Sequence, residues 1–182
     1  MRPEQILKNV LTGGIFLIPF VPLLVASTDS FPYFFSNLFF PYITAKNFAF
    51  RVLIEILTAG WLILVILDKR YLPKKSLVVY AVSAFLVVMS LATVFGVDPY
   101  RSFWSNFERM EGLITYLHLS MFFILLGALL ESDKLWRWFF HTSIGVSLVV
   151  SSIALAQLLG YAPIVQGFER LEATFGNATY LA

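Results

Sequence analysis

The stretch LVVYAVSAFLVVMSLATVF, Leu77–Phe95, holds nineteen residues without a single charge. It is too long for a strand and apolar on every side, so a helix crossing a bilayer is the reading that satisfies its backbone. Working outward, four more stretches share this character: 10–26, 48–67, 113–130 and 138–159. The first is softened by Gly13, Gly14, Pro19 and Pro22. The gaps between these runs hold nearly every Asp, Glu, Lys and Arg. The expected fold is therefore an all-α, polytopic transmembrane helix bundle of about five spans, treated as one region over residues 1–182.

Composition agrees with that reading. Only 13% of the residues are charged against 59% hydrophobic, and the mean hydropathy is +0.80. A water-soluble domain carries about 25% charged residues to cover its surface. A soluble enzyme and a disordered chain are thereby excluded. A net charge of +2 gives no reason to expect nucleic acid as a partner. The absence of cysteine removes disulfides, thiolate nucleophiles and Cys-bearing metal sites. The two histidines show no metal-ligand spacing with a carboxylate, so neither a metal nor another cofactor is expected. The first run has the look of a signal peptide ahead of Val25-Ala26-Ser27, but the later spans already anchor the chain.

Lys and Arg set the expected orientation. With a cytoplasmic N-terminus, Arg2, Lys8, Lys69, Arg70, Lys74, Lys75, Lys134 and Arg137 lie inside. Lys46, Arg51, Arg101, Arg109 and Arg170 lie outside, together with the C-terminus. Four of those five outer cations are Arg, whose planar fork suits phosphate and carboxylate groups.

Three groups of residues invite chemistry. The loop GVDPYRSFWSNFERMEG, Gly96–Gly112, mixes Arg101, Glu108 and Arg109 with Phe103, Trp104 and Phe107. Rings can stack on sugar faces while guanidinium groups hold phosphate; an interfacial helix with belt aromatics is the plainer alternative. Arg51 and Glu55, four apart within the second run, share a helix face and read as a self-neutralising pair or as part of an outer cavity. His118, inside the fourth run, reads as a hydrogen bond between helices, with a proton-relay role as the sharper alternative. The Asn177-Ala178-Thr179 sequon matches a common short pattern. An apolar run begins at the last residues, which suggests a piece of a longer protein.

Three stretches carry a resemblance: FFPYITAKNFAFR (Phe39–Arg51), DPYRSFWSNFERMEGL (Asp98–Leu113) and RLEATFGNATYLA (Arg170–Ala182). In this order they resemble the N-terminal part of bacterial O-antigen ligase and O-antigen polymerase family proteins. Where the family often reads FGNPN, this chain reads FGNAT at Phe175–Thr179. The resemblance implies a multi-pass protein of the bacterial inner membrane, acting in lipopolysaccharide and cell-envelope biosynthesis. Such a glycosyltransferase moves a glycan from undecaprenyl diphosphate to an acceptor such as lipid A-core on the periplasmic face, without a cofactor. It implies a diphosphate contact for Arg170 alone; Arg51, Arg101, Trp104 and Arg109 are substrate-binding candidates from the reading of the outer cations and aromatics above. In the family a large periplasmic loop nearer the C-terminus adds an arginine and a histidine. This stretch lacks that loop and is expected to be inactive alone. The partners implied are the bilayer, a lipid-linked oligosaccharide and the acceptor glycan. An O-antigen polymerase, or a non-catalytic transporter or scaffold component, fits the same pattern of spans.

Overall fold

The computed structural model describes residues 2–25, 41–106, 109–164 and 170–181. Ala26, Ser27, Phe39, Phe40, Phe107, Glu108 and Ala182, all used in the sequence reading, lie outside the described residues. Among the described residues the protein is all helical, with no strand. The elements are α1 (Pro3–Ile15), a 3-10 segment (Ile18–Leu23), α2 (Pro41–Leu67), a 3-10 turn (Lys69–Tyr71), α3 (Leu77–Val94), α4 (Pro99–Trp104), α5 (Leu113–Leu129), α6 (Asp133–Leu158) and α7 (Ala178–Leu181).

Four helical stretches are long and apolar enough to cross a membrane: Pro3–Leu23, Tyr42–Leu67, Leu77–Val94 and Asp133–Leu158. The fifth apolar helix, α5, has 17 residues. At 1.5 Å per residue it reaches about 25 Å, just short of a ~30 Å hydrocarbon core. The helices start earlier than the apolar runs do. α1 begins at Pro3 rather than Val10, α2 at Pro41 rather than Phe48, and α6 at Asp133 rather than Trp138. Proline explains two of these starts, since it suits the first helical turn where its missing N–H is not needed. Pro19 and Pro22 act differently: α1 stops at Ile15, and the chain continues as a 3-10 segment.

The chain divides into two compact units. The first comprises residues 1–15 and 51–135. Its core on α2 is the stripe Ile54, Leu57, Trp61 and Leu64, at the three- and four-residue spacing of one helix face. Leu11 and Ile15 of α1 and Leu125 and Leu129 of α5 are buried as well. α1 and α2 pack through a reciprocal arrangement. Leu57 sits over Gly14, and Leu11 sits over Gly60, so closely that a Cβ at either glycine would fall 2.5 Å from a leucine methyl. Small residues let helix backbones approach where lipid removes the usual hydrophobic drive between helices. The Trp61 indole N–H donates to Tyr71 O at 3.0 Å and ties the 3-10 turn to α2. Asp68 caps that turn. Hydrogen bonds from the Arg70 side chain and backbone N–H hold its carboxyl below the usual range, while the side-chain bond and the carboxylate's charge push the Arg70 guanidinium up.

The second unit comprises residues 16–50 and 136–182. Val146, Val150 and Ala154, one face of α6, bury Ala173, with Leu23, Ile153, Phe175 and Leu181 packed around them. Gln157 continues that face by one turn, and it organises the chain end described next.

Candidate functional site: two cation clasps and a histidine–glutamate pair

Arg51 does not pair with Glu55; the expected self-neutralising pair is replaced by two separate partnerships in the first unit. The Arg51 guanidinium donates to Met110 O and, at 2.9 Å, to Thr115 Oγ1. Its other terminal nitrogen lies 3.2 Å from Met110 Sδ. Thr115 Oγ1 in turn donates to Met110 O at 2.9 Å. Met110 has φ 48°, a left-handed conformation that costs a side-chain-bearing residue about 1–2 kcal/mol. A forked cation that grips its carbonyl offsets that cost. The physical reason for the rearrangement is reach: Arg51 of α2 finds acceptors at Met110 in the loop and Thr115 in the first turn of α5, and Glu55 finds a better partner.

That partner is His118. Its Nε2 lies 3.2 Å from Glu55 Oε1, and its Nδ1 donates to Ile114 O at 2.7 Å. The expectation of an interhelical hydrogen bond at His118 matches this geometry. The imidazole is buried, while the Glu55 side chain is 67% exposed along a groove between α2 and α5.

The second clasp belongs to the second unit and was not singled out from sequence. Lys46 Nζ donates to Tyr42 O at 2.9 Å and to Thr174 O. It also stands 5.9 Å from the Tyr42 ring centre and 5.7 Å from that of Phe175. Gln157 Oε1 accepts from Glu172 N at 3.2 Å and Ala173 N at 2.8 Å, and its amide donates to Pro163 O. Thr174 Oγ1 donates to Pro22 O at 2.7 Å. Ala173 has φ 46° and Glu172 is fully buried. Gly176, at φ 64°, lies against Tyr42 so closely that a Cβ would fall 2.6 Å from the ring. This is a position that needs glycine. Each clasp thus uses a cation of α2 to hold the carbonyl of, or next to, a left-handed residue.

The signals for this second site were faint. Gln157 is an amide inside an otherwise apolar face, and Lys46 lies within one of the three family-like stretches. Nothing local announces a buried carboxylate at Glu172.

The remaining candidates are more open. Asp98 accepts from Arg101 N at 3.0 Å and caps α4, a helix of six residues. Arg101 and Trp104 are exposed and stand three apart on α4, so they share a face. Phe103 packs edge-on against Trp104 at 4.8 Å. Arg109 is half-buried. Arg170 is exposed at a bend just before the buried Glu172–Thr174 turn. Arg51, Arg101, Trp104 and Arg109 belong to the first unit, and Arg170 to the second. Among the described residues no group of His, Asp and Glu is arranged to hold a metal ion. No protein-family model, curated protein or solved structure matches the chain.

Proposed function

We propose that the chain supplies the membrane-embedded, donor-binding part of a glycan-transfer enzyme of the O-antigen ligase kind. It would act in the bacterial inner membrane, with α5 as the fifth span, the N-terminus cytoplasmic and the C-terminal turn periplasmic. The donor would be a glycan on undecaprenyl diphosphate, and the acceptor a glycan such as lipid A-core. The observation that carries this reading is the pair of clasps. Arg51 and Lys46, from one family-like stretch, grip Met110 and Thr174, which belong to the other two. Arg101, on α4 in the first unit, and Arg170, at a bend in the second, keep exposed guanidinium groups, each able by itself to hold an anionic group. Departure of a sugar from a lipid diphosphate builds charge on phosphate, and arginine forks stabilise it in a low-dielectric setting.

The test is binding of a farnesyl-diphosphate-linked sugar to the chain in nanodiscs, followed by native mass spectrometry. Arg170→Ala is expected to weaken binding about tenfold or more, at the ~1.5–3 kcal/mol of a charged hydrogen bond. Arg170→Lys should recover little, because lysine lacks the bidentate fork. Farnesol should bind far more weakly than the diphosphate. Equal binding of alcohol and diphosphate, or full affinity in Arg170→Ala, overturns the assignment.

A further inference from the structure

We propose that Glu55 and His118 form an intramembrane proton-binding site, a function separate from glycan transfer. Its ligand is a single proton shared by the carboxylate and the imidazole.

The hydrogen-bond arithmetic leads there directly. Ile114 O is a carbonyl oxygen and can only accept, so His118 Nδ1 must carry a hydrogen to make its 2.7 Å bond. Nε2 then faces Glu55 Oε1 at 3.2 Å, and a hydrogen bond between them needs one proton in the gap. Placed on nitrogen, that proton makes an imidazolium–carboxylate pair; placed on oxygen, it makes a neutral acid donating to a neutral ring. The sum of charges is zero either way. Only removal of the proton leaves a bare lone pair facing a carboxylate, and that is the costly state in hydrocarbon.

Position adds weight. Glu55 lies thirteen residues from Tyr42 and twelve from Leu67 in the spanning stretch of α2. At 1.5 Å per residue that is about 18–20 Å from either end. An ionisable residue at such a depth is kept at a cost and marks a site by default. The groove it faces has a volume of about 460 Å³ and is otherwise apolar, lined by Ile54, Leu62, Ile114, Leu117 and Met121. Thr58, three residues on from Glu55, lines the same groove. Its hydroxyl oxygen is shielded from solvent without a hydrogen-bond partner in the structure. The groove is therefore short of one small polar partner, which a water or hydronium would supply. Arg51, one turn earlier on α2, is the nearest other charged group of that helix, and it is committed to Met110 and Thr115. From α5 the groove lining contributes His118 as its titratable group.

The test uses a lipid-soluble carbodiimide on the full chain in nanodiscs, with the modified residue located by peptide mass spectrometry. The reagent nitrogen takes the acid proton and the carboxylate oxygen bonds to the central carbon. The acyl group then shifts to nitrogen as a stable N-acylurea, with no leaving group. Glu55 is expected to be labelled and labelling to fall as the pH rises, with Glu55→Gln as the unlabelled control. In His118→Phe the carboxyl has lost the ring that shares its proton, and the extent of Glu55 labelling at a fixed pH should change severalfold. His118→Gln, which retains a hydrogen-bonding side chain but cannot take the proton, reports the same change should the Phe variant fail to fold. No labelling of Glu55, or an equal extent of labelling with and without the imidazole, overturns the proposal.

Discussion

Replacing Gly112 by Ala isolates the contact on which the start of α5 depends. Gly112 caps α5 at φ −79°, ψ −161°, a conformation open to any L-residue, so alanine meets no backbone strain there. Its chain-stiffening effect on the unfolded state would even stabilise the protein by about 0.4–1 kcal/mol. Space decides otherwise. An added Cβ would fall 2.6 Å from Phe103 C and 2.7 Å from Ser102 O, both backbone atoms of α4. A leucine methyl can rotate away from such an overlap, but a peptide plane inside a helix cannot. Overpacking of this kind costs about 1–3 kcal/mol, and the rigid neighbour puts Gly112→Ala at the upper end, about 2–3 kcal/mol net. Relief requires α5 to move from α4, which drags Thr115 from the Arg51 fork. Gly127→Ala is the control: a Cβ there meets nothing within 4 Å, in the last turn of α5. It should stabilise through helix propensity alone, by less than the ~0.5–1 kcal/mol of a mid-helix site. Unfolding in mixed detergent micelles with rising dodecyl sulfate, followed by tryptophan fluorescence, measures both. Gly112→Ala as stable as Gly127→Ala would refute the close approach of α4 and α5.

Two further outcomes test the partnerships. In double-mutant cycles on the same unfolding assay, Glu55→Gln with His118→Phe should couple by about 1–3 kcal/mol, and Arg51→Met with Glu55→Gln by less than about 0.5 kcal/mol. The reverse order would restore Arg51 as the partner of Glu55. Lys46→Met keeps the stem and removes two bonds to carbonyls, so it should cost about 1.5–3 kcal/mol. It should also speed proteolysis after residue 170, and unchanged proteolysis would argue against a clasp on Thr174.

The apolar runs alone determined that this is a chain of membrane-length helices. A backbone in hydrocarbon has to satisfy its own hydrogen bonds, and a run such as Leu77–Phe95 leaves no other way to do so. Leu77 and Leu113 were legible as helix starts because the uncharged apolar runs begin at those residues. The early starts at Pro3, Pro41 and Asp133 were not, since polar first turns carry no hydropathy signal. The partners of ionisable residues were decided by tertiary structure. Four-residue spacing brings Arg51 and Glu55 to one face of α2, but the acceptors that win are Met110 O, Thr115 Oγ1 and His118 Nε2, roughly sixty residues away in sequence. Hydrogen bonding acts over about 3 Å, and only packing brings such atoms within reach. For the same reason Lys46 and the buried Glu172 were invisible in the sequence: a lone cation and a carboxylate in a polar tail become a site only once α2, α6 and residues 171–176 have met.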